Sequence, residues 1–132
     1  MIFRAIKLAM DAHEGQHRKG TSITYTTHPM NVMQSLSKIG CDEDLVVAGV
    51  LHDVPEDTPV RPDVIERNFG KRVVKYGCCR IRAGRTKRQK GIEVWQKRKQ
   101  HTIDHILNTP SVDKLLVFYA DKLGNTTKAV FC

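Results

Sequence analysis

The sequence lacks the features that define several protein classes. Only 6% of its 132 residues are aromatic, and no apolar run approaches the ~20 residues that a membrane-spanning helix needs. The four cysteines (Cys41, Cys78, Cys79 and Cys132) form no CxxC pair, which favours reduced thiols over a disulfide framework or a zinc site. The first seven residues resemble no secretion signal. We therefore expect a cytoplasmic protein that neither enters nor crosses a membrane.

Acidic residues are almost absent from one segment, residues 71–101. This segment holds twelve of the 22 Lys and Arg residues and a single acid, Glu93, so the net charge of +8 arises there. Such asymmetry indicates a polyanionic partner, and charge alone leaves nucleic acid, a membrane surface and a phosphorylated small molecule open. With Tyr76 and Trp95 as its only aromatic residues and no nucleic-acid-reading motif, the segment makes nucleic acid the least favoured partner.

The spacing of apolar residues is helical almost throughout and predicts an all-α fold. The length suits a single domain over residues 1–132, built around one core. In the first helix we expect Phe3, Ile6 and Ala9/Met10 to share one apolar face. The first predicted helix covers residues 2–13, the second runs from His28-Pro29 to Gly40, and the third runs from Asp42 to Leu51. Two short helices are predicted over residues 62–69 and 71–77, and a last helix begins near Ser111.

Basic residues and glycines predict a loop over residues 80–91, which carries six Lys and Arg residues and no acid. Two interpretations remain open. The loop is either a solvated surface segment or a flap that closes over the phosphates of a bound substrate.

The residues most indicative of function follow the apolar third helix. His52 and Asp53 come directly after it, and Pro55 predicts a turn that carries Glu56 and Asp57. Burying such a cluster is costly unless its charges are paired or bind a cation.

Two more residues are candidates to join this cluster: His28 at the start of the second helix, and Asp121 in the apolar last helix. Imidazole and carboxylate ligands suit Mn²⁺, Fe²⁺ or Zn²⁺, so the residue types leave the metal open. Taken alone, each residue is more often structural, and His28 could be a helix-start histidine without a metal. The combination of His28, His52, Asp53 and Asp121 favours a metal site.

Four segments together resemble the hydrolase domain of RelA/SpoT homologues, and in particular the stand-alone small alarmone hydrolases, which are HD-domain phosphohydrolases. The likeness follows the order and spacing of the segments and spans roughly residues 5 to 125. The segments read HEGQHRKGTSITYTTHP (13–29), GVLHDVPEDT (49–58), FG (69–70) and YADKLGN (119–125).

The resemblance implies an HD-domain helical bundle that acts on a guanine nucleotide. The implied reaction removes the 3′-pyrophosphate from guanosine 3′,5′-bis(diphosphate), ppGpp, or from its pentaphosphate form. The products are pyrophosphate and GDP or GTP. The implied roles are Mn²⁺ ligation by His28, His52, Asp53 and Asp121, activation of the attacking water by Glu56 and Asp57, and nucleotide contacts from Arg18, Lys19 and Asn125.

The sequence also departs from the family pattern. Pro55 replaces a branched aliphatic residue, and Gly124 replaces a larger one. The chain ends at Cys132 where relatives continue, so we expect a bundle truncated at its C-terminus. Two alternatives therefore stand beside the alarmone hydrolase. One is another nucleotide phosphohydrolase, such as an NADPH 2′-phosphatase, and the other is a degenerate domain that binds nucleotide or metal without turnover. The sequence leaves the oligomeric state open.

Overall fold

The computed structural model describes residues 1–77, 96–97, 100, 103–104, 107–108 and 111–130, with side chains up to residue 125. The described residues contain no β-strand beyond an isolated bridge between His17 and Thr24, so the predicted all-α class is confirmed. Seven helices are defined within these ranges: α1 Ile2–Ala12, α2 Thr27–Lys38, α3 Glu43–Leu51, α4 Val54–Asp57, α5 Pro62–Phe69, α6 Lys71–Gly77 and α7 Val112–Val130.

Helix α3 forms the centre of the packing. Its residues from Leu45 to Leu51 are all buried, and it packs against α1, α2, α6 and α7. A helix that is apolar on every face is stable only when other elements surround it. Its start is the predicted one, because the Asp42 carboxylate accepts a hydrogen bond from the Leu45 N–H at 3.0 Å. The central helix therefore ends, at Leu51, inside the bundle.

The apolar face predicted for α1 is confirmed for Ala9 and Ile6 and was wrong for Phe3 and Met10. Phe3 is 84% exposed and Met10 52% exposed, whereas Ala5 and Ala9 are fully buried. Ile6 is half-buried against the core. Helix α1 packs on α3 through its small residues. Because alanine carries little weight in an apolar pattern, the larger Phe3 and Met10 were included in a face that the small Ala5 and Ala9 mainly form.

Glu56 and Asp57 lie on a short helix, α4, and not on the turn that Pro55 was expected to impose. Pro55 occupies the first turn of α4, where a backbone N–H would have no helical partner. The Asp53 carbonyl accepts hydrogen bonds from the N–H groups of Glu56 at 3.1 Å and of Asp57 at 2.9 Å. Pro55 is therefore compatible with a regular turn that keeps both acids within one turn of Asp53.

Some sequence-based expectations concern residues that the structure does not describe. The basic loop over 80–91 lies outside the described residues, as do Cys78, Cys79 and Cys132. Cys41 has a free thiol, as expected. Among the described residues, no helix has both the length and the apolar character to cross a membrane.

Gly77 allows the end of α6 to approach the backbone of α3. A Cβ atom at this position would lie 2.7 Å from the Ala48 carbonyl oxygen, and that oxygen cannot move without α3. We expect Gly77→Ala to lower the free energy of unfolding by about 1–3 kcal/mol through overpacking. Chemical denaturation measures this loss. Lys71→Ala, at an exposed position on the same helix, should stay within about 0.5 kcal/mol of the wild type, and equal losses in the two variants would contradict the close contact.

Candidate metal centre

Two imidazoles meet where α2, the end of α3 and α7 converge. His28 lies in the first turn of α2, and His52 directly follows α3. Both side chains are buried, and their Nε2 atoms are 3.3 Å apart. The pairing of α2 with both α3 and α7 brings these histidines together although they are distant in sequence.

Two half-buried carboxylates adjoin the imidazole pair. Asp53 Oδ2 lies 3.4 Å from His28 Nε2 and 3.2 Å from His52 Nε2. Asp121 Oδ1, from α7, lies 3.0 Å from His28 Nε2 and 3.6 Å from His52 Nε2. The second Asp121 oxygen, Oδ2, is 2.7 Å from the Lys122 ammonium group. The structure thus brings together all four residues for which the sequence predicted a metal site.

The tautomer of His52 follows from its other ring nitrogen. His52 Nδ1 lies 2.7 Å from the Gly49 carbonyl oxygen, which only accepts hydrogen bonds, so this nitrogen carries the hydrogen. In the neutral ring the lone pair is then on Nε2, the atom that faces His28 and the carboxylates. A backbone carbonyl that holds the distal N–H of a histidine is typical of metal ligands.

Gly124 of α7 packs directly against the ring of His28. A Cβ atom at this position would lie 3.3 Å from His28 Nδ1 and 3.4 Å from Cε1, which is tighter than ordinary contact. Within the part of the chain that the structure describes, the buried Nδ1 atom has no hydrogen-bond partner. Gly124, which departs from the family pattern, therefore packs against the candidate ligand His28. The sequence did not indicate this contact because it depends on how α7 packs on α2.

The electrostatics of the four side chains favour a positive charge between them. Burial alone lowers the pKa of His28 and of His52, but hydrogen bonds with the two carboxylates raise both pKa values above the ordinary one. Burial alone raises the pKa of Asp53 and of Asp121, but the two imidazoles hold both well below their usual range. The carboxylates stay ionised, so either protonated imidazoles or a bound cation must balance them.

The donor set fits a divalent metal ion. His28, His52 and Asp53 each offer one ligand atom, and these three atoms all lie within 4.8 Å of one another. Asp121 Oδ1 contacts both imidazoles and is available as a fourth oxygen ligand. Neutral imidazole and carboxylate are the ligands of Mn²⁺, Fe²⁺ and Zn²⁺, and the set contains no thiolate that would favour a softer metal.

Asp57 joins this centre through a residue that the sequence analysis did not single out. The Tyr25 hydroxyl group donates to Asp53 Oδ2 at 2.5 Å and lies 3.4 Å from Asp57 Oδ2. Glu56 is half-buried beside Asp57 on α4. In the sequence, Tyr25 could have been noticed because it lies three residues before His28 in the segment 13–29 that resembles the family.

Two of the three predicted substrate-binding residues, Arg18 and Asn125, are linked to Asp121 by hydrogen bonds. Arg18 Nη2 donates to Asn125 Oδ1 at 2.9 Å, and Asn125 Nδ2 donates to Asp121 Oδ1 at 2.8 Å. Lys19 follows Arg18 and is exposed. A continuous hydrogen-bonded path thus leads from the loop before α2, through α7, to the imidazole pair.

Comparison with known proteins agrees with this geometry. Residues 5–125 match the model of a family described as "HD domain". Over 74 residues the chain is 40% identical to guanosine-3′,5′-bis(diphosphate) 3′-pyrophosphohydrolase of Aquifex aeolicus, covering 56% of this chain and 10% of that protein. Over 72 residues it is 42% identical to the bifunctional (p)ppGpp synthase/hydrolase SpoT of Escherichia coli K12, covering 54% of this chain and 10% of SpoT. The matches span about a tenth of these curated relatives.

A solved structure extends the likeness over nearly the whole chain. It belongs to a metazoan orthologue of SpoT that hydrolyses ppGpp and plays a role in starvation responses. The two superpose with a TM-score of 0.75 at 31% identity, over 94% of this chain and 67% of the orthologue. The chain therefore belongs to the HD-domain family, and it resembles the alarmone hydrolases of that family.

Proposed function

We propose that the protein is a metal-dependent hydrolase of ppGpp and pppGpp that removes the 3′-pyrophosphate. The observation that carries this proposal is the hydrogen-bonded path from Arg18 through Asn125 to Asp121. It joins the residues that family resemblance assigns to the nucleotide with the cluster suited to a metal. One relative named as a guanosine-3′,5′-bis(diphosphate) 3′-pyrophosphohydrolase and another named as a (p)ppGpp synthase/hydrolase support the same substrate.

In the proposed mechanism, His28, His52, Asp53 and Asp121 hold the metal, with Mn²⁺ as the ion expected. When bound, a divalent ion lowers the pKa of a water ligand and neutralises charge on phosphoryl oxygens. The protein must then remove a proton from the attacking water. Glu56 and Asp57 are suited to this step because they follow the metal ligand Asp53 by one helical turn.

The hydrolysis breaks the bond between the ribose 3′-oxygen and phosphorus. The water oxygen forms a new bond to that phosphorus, one proton passes to a carboxylate, and the 3′-oxygen leaves and takes up a proton. The products are pyrophosphate and GDP or GTP. Arg18 is suited to guanine because its planar guanidinium group can stack on a base, while Asn125 offers an amide to the nucleoside.

A degenerate, non-catalytic domain receives less support than hydrolysis. Pro55 was one of the features that motivated that alternative, but it fits the first turn of α4 and leaves Glu56 and Asp57 on a short helix. The sequence-based idea of a flap concerns residues 80–91 and lies outside the described residues. An NADPH 2′-phosphatase would use the same metal chemistry, so substrate competition is the way to separate the two.

The direct test is metal removal followed by readdition. Protein treated with a chelator should release no pyrophosphate from ppGpp, and addition of Mn²⁺ should restore release, because the carboxylate-imidazole cluster needs its cation. Pyrophosphate is measured by a coupled assay, and phosphate release from NADPH is followed in parallel. Absence of pyrophosphate release with Mn²⁺, Fe²⁺ and Zn²⁺ alike would overturn the proposed activity.

The acids at 53 and 56 should have separable effects. Asp53→Asn should weaken Mn²⁺ binding by about 10-fold or more, because it removes the charge of an oxygen that faces both imidazoles. Glu56→Gln should leave metal affinity unchanged and lower kcat by about 10²-fold or more through loss of a proton acceptor. Metal titration and steady-state kinetics measure the two effects. Equal loss of metal in both variants would contradict the assignment.

Arg18→Lys keeps the charge but loses the planar guanidinium group that donates to Asn125. We expect KM for ppGpp to rise about tenfold, the magnitude of one lost stacking contact, with Mn²⁺ affinity unchanged. Arg61→Lys, at an exposed position paired with Asp63, is the matched control and should behave as wild type. An unchanged KM in Arg18→Lys would exclude the proposed base contact.

A further inference from the structure

Tyr25 lies between two carboxylates that have different tasks in the proposed function. Its hydroxyl group donates to Asp53 Oδ2 at 2.5 Å and reaches Asp57 Oδ2 at 3.4 Å. Asp53 Oδ2 is the same oxygen that faces His28 and His52. The phenol oxygen therefore lies between a candidate metal ligand, to which it donates its one hydrogen at short range, and a candidate proton acceptor, which it contacts at longer range.

The backbone and ring of Tyr25 are held by their surroundings. Its N–H donates to the Gln16 carbonyl oxygen at 2.9 Å, and its own carbonyl accepts from the His28 N–H at 2.9 Å. The ring lies 4.5 Å from the ring of His13 and 6.0 Å, edge-on, from that of His28, measured between centroids. A tyrosine hydroxyl group carries its proton at neutral pH, so the phenol serves as a hydrogen-bond donor here.

Asp57 is also held from its main chain. Gln16 Nε2 donates to the Asp57 carbonyl oxygen at 3.3 Å, and Gln16 Oε1 lies 2.9 Å from Nδ1 of the buried His13. Gln16 thus contacts the backbone of Asp57, while Tyr25 contacts its carboxylate. Two residues of the loop before α2, Gln16 and Tyr25, therefore both contact Asp57.

We propose that Tyr25 is a positioning residue that fixes the carboxylate of Asp53 toward the metal and couples it to the carboxylate of Asp57. Without the hydroxyl group the Asp53 carboxylate can rotate, so it is no longer preorganised for the ion. Asp57 loses its link to the metal ligand in the same change. The part that concerns Asp57 rests on the proposed function, whereas the part that concerns Asp53 depends only on metal binding.

The test is Tyr25→Phe, which removes one oxygen and keeps the ring. Mn²⁺ affinity, measured by titration without nucleotide, should fall about 10- to 100-fold, as is usual when a hydrogen-bond partner of a metal ligand is lost. At saturating Mn²⁺, kcat for ppGpp should fall while KM stays within about twofold. Tyr119→Phe is the matched control because its side chain is largely exposed on α7, and it should change neither quantity. A thermal melt of each variant establishes that it is folded.

A double-mutant cycle separates coupling from a general structural effect. Asp57→Asn should lower kcat, and adding Tyr25→Phe to it should lower kcat less than Tyr25→Phe does in the wild type, because the coupled partner is already gone. Unchanged Mn²⁺ affinity in folded Tyr25→Phe would overturn the inference for Asp53, and additive effects on kcat would overturn it for Asp57. If the wild type releases no pyrophosphate but Tyr25→Phe still weakens Mn²⁺ binding, the proposed function fails and the positioning of Asp53 stands.

Discussion

Two ionised carboxylates packed against two buried imidazoles are the constraint on which the rest of the structure depends. Asp53 and Asp121 keep their charge at a site from which most water is excluded, and such charge is stable only with a positive partner at close range. Satisfying both acids requires the start of α2, the end of α3 and the middle of α7 to meet at one point. The same contacts between α2, α3 and α7 therefore pack the bundle and assemble the candidate metal site.

Glycines at two positions show how closely packing and chemistry are joined. Gly49 lets Leu36 of α2 approach α3, since a Cβ atom there would lie 2.4 Å from Leu36 Cδ1. Its carbonyl oxygen also fixes the ring of His52. Gly124 likewise allows a close approach, because the absence of a side chain lets α7 lie against the ring of His28. Each position combines close helix approach with control of one imidazole, so a larger residue would disturb both together.

Two hydrogen-bonded paths lead outward from the acidic ligands. One runs from Asp53 through Tyr25 to Asp57. The other runs from Asp121 through Asn125 to Arg18. The first path ends on the short helix α4, and the second ends in the loop before α2. The longer helices and the residues directly after α3 thus supply the imidazole–carboxylate cluster, and a loop and a short helix supply further candidate functional groups, as is common for sites built on helical scaffolds.

The sequence by itself determined the helical class, most helix ends and the identity of the four central residues. Asp42 as a cap, Gly40 as a stop and the apolar run before His52 act through neighbours within a few positions, so local pattern is enough to read them. It was also enough to nominate His28 and Asp121, since each residue type has a chemistry of its own.

Only the tertiary structure decided how these residues meet. The exposed Phe3, the helical setting of Glu56, the close approach of Gly124 to His28 and the position of Tyr25 between two acids all depend on contacts between separate elements. Arg18 and Asn125 are 107 positions apart in the chain, and no periodicity links residues at such a separation. Helix formation is a local equilibrium, whereas the orientation of an imidazole or a phenol is set by whatever distant side chains pack around it.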